Sequence, residues 1–216
     1  MRLARLNRLA GSAAVFGALC CGGGGGGTTP PGPPVNLLKS GDQSWYFNNP
    51  LPTALSVTAV DVDGRAVPGV IITWAVASGG GVVAPTQSTT DANGVASTTD
   101  SVGGSSQTIH ATFSGLPGPV TFTVIAMAPP TSAAVSVEDN RFNPQNSVVQ
   151  TGGTVTWTWA GANSHTLTFT FGPTPLPANQ AAQMSGAAPR TITAVGTYNY
   201  TCTIHAAMNG TVTVVH

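Results

Sequence analysis

Apolar and polar positions alternate along much of this chain with a period of two. In Ala54–Val62 (ALSVTAVDV), Leu55, Val57 and Ala59 fall on one face of an extended segment. The split is cleaner in TVTWTW, where Val155, Trp157 and Trp159 share one face and Thr154, Thr156 and Thr158 the other. Val135 and Val137 in VSVEDNRFNP, Tyr198 and Tyr200 in GTYNYTC, and Val212 and Val214 in GTVTVV follow the same rule and are expected to point inward. VIITWAV (Val70–Val76) differs: it is a continuous apolar strand. TIHATF (Thr108–Phe113), VTFTVIA (Val120–Ala126) and HTLTFTF (His165–Phe171) add further strands. No stretch of useful length carries a helical period.

Turn chemistry punctuates these runs at Asp63-Gly64, Gly79–Gly81, Asn93-Gly94, Asn143-Pro144, Gly152-Gly153 and Gly196. Many short strands at regular spacing predict an all-β chain of two tandem β-sandwiches. The first spans 35–128 and the second 133–216, with Pro129–Ser132 as a short, stiff joint. Residues 22–34 (GGGGGGTTPPGPP) are a linker, flexible where it is glycine and leaning to polyproline II where it is proline.

Composition sharpens this picture. Charged residues are only 6% of the 216, with seven basic and seven acidic side chains. No basic excess points to nucleic acid and no acidic run points to a solvating tail. Thr, Ser and Val carry the surface and the strands, in the manner of an exported β protein. The N-terminus agrees. Arg2, Arg5 and Arg8 precede an apolar run from Leu9 to Leu19, too short to span a bilayer. Residues 1–21 therefore read as a signal peptide, and the small-residue zone ending in Cys20-Cys21 resembles a bacterial lipoprotein signal. Cys20 follows Leu19, whereas Cys21 has Ala18 at the third position back, so Cys21 is the expected lipidation site. The plainer alternative is an ordinary signal cut near the glycines. The lipoprotein reading implies an exported chain in the periplasm or cell envelope, held to the membrane by an N-terminal lipid anchor.

The strings VDGRAVPGVIITWAVASGGG, TTDANGVAST and FSGLPGPVTFTVIA resemble the bacterial Ig-like domains of invasin and intimin type. The resemblance covers nearly all of 35–128, rests on turn and core residues, and implies a spacer or adhesion module. His110 stands alone in this segment and reads as a structural histidine.

The chemistry lies in the second sandwich. Beyond residue 21 the sole cysteine is Cys202, so no disulfide partner exists within either predicted domain. The period of two puts Cys202 on the buried face with Tyr198 and Tyr200, at the end of its strand. The loop that follows carries His205 and Met208 in the spacing Cys-x2-His-x2-Met (CTIHAAM). His165, opening a strand after the turn AGANS, is the obvious second imidazole. One thiolate, two imidazoles and a weak thioether define a type 1 copper site. Thiolate and thioether are soft and favour Cu(I), whereas imidazole suits both oxidation states. Such a site therefore changes little on redox. Met184 reads as a loop residue, and His216 as an unordered one.

DNRFNP, GGTVTWTWAGANSH and GTYNYTCTIHAAMNGTVTV together resemble the cupredoxins, the small blue copper proteins such as plastocyanin and amicyanin. The resemblance spans 133–216 and implies a Greek-key sandwich. It also implies one type 1 copper cycling between Cu(I) and Cu(II) on His165, Cys202, His205 and Met208. The ligand loop looks like that of amicyanin, and Ser164 stands where those relatives usually carry proline. The family further implies that the edge of His205 is the electron port. The expected function is a single-electron carrier with redox partner proteins and an Ig-like spacer, and not an enzyme. Two other readings are a surface adhesion or interaction protein, and an envelope copper storage or delivery protein.

Overall fold

The computed structural model describes residues 29–216. The signal segment and Cys21 lie outside the described residues. Every regular element among the described residues is a strand, as the period of two requires. The first nine are β1 (Asn36–Lys39), β2 (Gln43–Tyr46), β3 (Leu55–Val60), β4 (Ile71–Ser78), β5 (Gly81–Ala84), β6 (Gln87–Thr89), β7 (Val95–Val102), β8 (Gln107–Thr112) and β9 (Val120–Met127). They form two sheets, ordered β1-β3-β7-β5 and β2-β9-β8-β4-β6. The second nine are β10 (Ser132–Glu138), β11 (Arg141–Asn143), β12 (Asn146–Gln150), β13 (Gly153–Trp159), β14 (His165–Phe171), β15 (Gln180–Gln183), β16 (Gly186–Ile192), β17 (Gly196–Thr201) and β18 (Asn209–Val215). Their sheets are ordered β11-β10-β13-β16 and β12-β18-β17-β14-β15. The chain is thus two tandem β-sandwiches. Among the described residues no helix is long and apolar enough to cross a membrane.

Each sandwich closes on its own core. Leu55, Ile72, Ile109, Phe122 and Trp74 fill the first, none more than 1% exposed. Trp157, Leu167, Tyr198, Tyr200 and Val212 fill the second to the same degree. Each such side chain contributes about 1.5–3 kcal/mol by leaving water. The alternation read from the sequence is the burial observed: Val155, Trp157 and Trp159 are buried, while the threonines between them meet solvent.

The continuous apolar strand read at Val70–Val76 is β4, in which Ile71 is 59% exposed whereas Ile72 and Trp74 are buried. The strand runs between β8 and β6 in a sheet with one covered face, so its apolar outer residues look outward.

Residues 31–216 form one compact unit, and the joint between the sandwiches is bonded on both sides. Phe47 N–H donates to Met127 O at 3.0 Å, and Gln150 N–H donates to Pro130 O at 2.8 Å. His216, expected to be unordered, is held. Its backbone N–H donates to Asn49 Oδ1 at 2.8 Å, and Asn49 Nδ2 donates back to His216 O at 3.3 Å. The Asn49 side chain mimics a strand's backbone here and is only 2% exposed. A cleft of about 270 Å³ beside it is lined by Trp45, Pro50 and Leu51 from one sandwich and Val195, Val214 and Val215 from the other.

Candidate metal centre

β17 carries Tyr198 and Tyr200 inward and delivers Cys202 one step past its end, still on the buried side and 3% exposed. The loop that follows returns at once, because Thr201 already pairs with Asn209 across β17 and β18. Cys202 N–H donates to Met208 O at 3.0 Å and Thr201 Oγ1 to the same oxygen at 2.9 Å. Ala207 takes a left-handed φ of 63° to close the turn. The short loop therefore has one way to fold, and it holds Cys202, His205 and Met208 at a single end of the sandwich.

His165 opens β14 and is 0% exposed. Trp159 Nε1 donates to its carbonyl at 2.9 Å. The turn before it is clamped by Asp139, whose carboxylate accepts Asn163 N–H at 2.9 Å and Ala162 N–H at 3.1 Å. His165 Nε2 lies 3.3 Å from Asp139 Oδ1. These donors, Asn163 and Ala162 first and then His165, hold the Asp139 carboxyl down at about 2.

The three donors converge. Cys202 Sγ lies 3.8 Å from His165 Nδ1 and 3.4 Å from His205 Nδ1, and all three ligand atoms fall within 4.8 Å of one another. The two imidazole rings are 4.5 Å apart, tilted by 42°. A metal at about 2.3 Å from sulfur and about 2.0 Å from nitrogen, in tetrahedral or trigonal geometry, needs sulfur–nitrogen separations of about 3.5–3.7 Å. The observed pair brackets that range. The sulfur–nitrogen distances thus suit a first-row ion, and the thiolate with two imidazoles is the donor set of one type 1 copper.

Electrostatics prepare the sulfur. Burial pushes the Cys202 thiol up, but the N–H groups of Thr166 and Ile204 and then the imidazole of His205 outweigh it and bring the thiol down to about 6. Thr166 N–H points at Sγ from 3.4 Å. The Thr166 hydroxyl accepts Thr203 N–H at 2.8 Å, tying β14 to the ligand loop. Beneath the site, Tyr200 stacks edge-on with Phe142 and Trp157, with centroids 4.8 and 5.3 Å apart. Burial pushes its phenol up to about 12, so the floor of the site stays neutral.

Of the residues read as ligands, His165, Cys202 and His205 are brought together. Met208 is buried to 1% exposure at the end of the same loop. Among the described residues Cys202 is the one free cysteine. His110 sits half-buried in β8, in the other sandwich. Met184 follows Gln183, the partner of His165 across β14 and β15, and is 60% exposed at the metal end. Asp139 and Thr166 went unremarked in the sequence. Asp139 lies inside the quoted DNRFNP string, but its partner is 26 residues away and only the closed fold unites them. Thr166 is one threonine in an alternating run.

Residues 131–215 match the family described as copper binding proteins, plastocyanin/azurin family. No curated protein matches the chain. Among solved structures, a novel purple cupredoxin from Nitrosopumilus maritimus is 22% identical, with a TM-score of 0.35; the match covers 38% of this chain and 98% of that one. The reduced state of an amicyanin mutant is 30% identical, with a TM-score of 0.32, over 38% of this chain and 81% of that one. The oxidised form of plastocyanin from Dryopteris crassirhizoma is 25% identical, with a TM-score of 0.32, over 38% and 98%.

Proposed function

Residues 131–215 are a cupredoxin domain of the plastocyanin/azurin family, and we propose from this that the protein is a single-electron carrier. One type 1 copper is held by His165, Cys202, His205 and Met208. The observation that carries the reading is the convergence of a buried free thiol and two imidazole nitrogens within 4.8 Å. When bound, copper supplies a one-electron couple between Cu(I) and Cu(II).

This chain's residues account for the rest. The short loop, pinned by Cys202 N–H to Met208 O, holds the donors in one arrangement, which keeps the reorganisation cost of a redox change small. Thr166 and Ile204 N–H groups share the charge of the thiolate. His165, Cys202 and Met208 are 0%, 3% and 1% exposed, so no substrate reaches the metal past them. The burial of these three donors favours a carrier over an enzyme. His205 alone is half-buried, and its ring edge is the electron port. Beside it Ile204 is 52% exposed, with Ala206 and Ala207 also at the surface. A redox partner protein docks on this uncharged patch.

The N-terminal segment exports the chain to the periplasm or cell envelope and Cys21 takes the lipid that tethers it. The first sandwich is an Ig-like spacer between tether and carrier. The test is to add Cu(II) to purified protein. One equivalent binds and gives an intense visible thiolate-to-copper band, which Cys202→Ser abolishes. A protein that stays colourless and takes up no stoichiometric copper ends the proposal. Rapid loss of the ion to chelators with a sluggish redox couple would favour storage or delivery instead.

A further inference from the structure

We propose that Asp139 is a positioning residue for His165. Its carboxylate accepts the Nε2 proton of the imidazole, leaves the Nδ1 lone pair free for the metal, and makes this ring the stronger electron donor of the two histidines. The inference rests on the copper-site reading above and deepens it.

The geometry assigns each ring nitrogen a separate task. Nδ1 of His165 faces Cys202 Sγ at 3.8 Å and Nε2 faces Asp139 Oδ1 at 3.3 Å. A neutral imidazole has one N–H and one acceptor nitrogen, and which is which follows from the partner that the ring is given. His165 is fully enclosed, so no solvent is at hand to accept its N–H. A carboxylate can only accept. The arrangement therefore permits the proton on Nε2 and leaves Nδ1 as a ligand.

Asp139 is itself fixed. Its two oxygens take the N–H groups of Asn163 and Ala162, and the same turn is bolted beneath by Ala160 and Gly161 N–H groups on Val137 O at 2.9 and 3.1 Å. A Cβ on Gly161 would lie 2.5 Å from Asp139 Oδ1, so the turn closes on the carboxylate only because residue 161 is glycine. Among the described residues no carboxylate bonds the His205 ring, which faces Sγ at 3.4 Å. The two imidazoles are thus unequal. One is braced by a negative charge and enclosed; the other is unbraced and half-exposed. An anionic acceptor behind a ligating histidine raises its basicity, and a more basic ligand favours the more highly charged ion. Asp139 therefore stabilises Cu(II) over Cu(I) and lowers the reduction potential.

The competing account is that Asp139 only clamps the turn 160–164. Two measurements separate them. The first uses metal-free wild-type protein with 15N-labelled histidine. The ring-nitrogen shifts of the neutral His165 imidazole are expected to show the proton on Nε2 and a bare Nδ1. The opposite tautomer, or a rapid mixture of both, overturns the proposal. This arm needs no copper, so a fixed tautomer in a protein that fails to bind copper would sink the electron-carrier reading and leave Asp139's role standing. The second is Asp139→Asn in the copper-loaded protein. Cu(II) affinity is expected to fall about 10–100-fold and Cu(I) affinity less. The potential then rises by about 59 mV for each tenfold difference between the two losses. A lower melting temperature with an unchanged potential overturns the proposal in favour of the clamp. Should Asp139→Asn fail to fold, the wild-type nitrogen shifts decide.

Discussion

A buried thiol is normally reluctant to ionise, and Cys202 is made willing by N–H groups and the His205 imidazole aimed at its sulfur. Its folded value of about 6 lies below the ordinary 9.0, so the folded state favours the thiolate. The sign follows directly. The stabilisation is fully present above about pH 9, shrinks as pH falls, and is gone below about 6. Thermal melts of the metal-free protein should show wild type gaining on Cys202→Ser as pH rises from 6 to 9, while the thiolate absorbance of wild type titrates near 6. A pH-independent gap between the two would refute the prepared thiolate. The ligands themselves were legible because CTIHAAM is local: three of the four donors lie within seven residues. His165 was reachable because it opens a strand after a turn. Asp139 was not, because a carboxylate beside Glu138 in a polar stretch looks like any solvated acid until β10 and the turn before β14 are brought together.

At the scale of the element, the metal loop depends on how closely β17 and β18 approach. Gly210 in β18 pairs with Tyr200, and a Cβ there would lie 2.5 Å from the tyrosine ring. Gly210→Ala must push that ring into Trp157 and Phe142, its edge-on neighbours. The expected cost is about 1–3 kcal/mol, typical of overpacking in a tight core, read by denaturant unfolding. A variant as stable as wild type would mean that the aromatic floor is loose. Strands with a polar–apolar alternation, such as β13 and β17, were evident from the residues alone. β15 was not, because QAAQ carries no alternation and Ala181 and Ala182 are both exposed at a sheet edge. The covered face of β4 was hidden for a related reason. Apolar residues on its outer face erase the period, and only the sheet order tells which side is covered.

For the molecule as a whole, the two β-sandwiches were foreseeable from spacing and turns, whereas their mutual grip was not. The second asparagine of the NNP turn after β2 gives no sign that it will pair with His216, 167 residues on. Each hydrogen bond of the clasp has a net worth of about 1 kcal/mol. Asn49→Ala should therefore uncouple the sandwiches, turning one calorimetric transition into two. Wild type that already melts in two independent steps would show that the clasp transmits nothing. The clasp joins the His216 end of β18, whereas Cys202 and Met208 sit at the other end of β17 and β18, about 20 Å away at the usual rise per residue. Potential and reach are thereby separable traits. On the carrier-and-spacer reading proposed above, loops at one pole tune the electron affinity of the centre, while the lobe clipped to the opposite pole decides how far out that centre is carried. Exchanging that lobe for a longer or shorter one would alter which partners can be met, and leave the colour of the protein untouched.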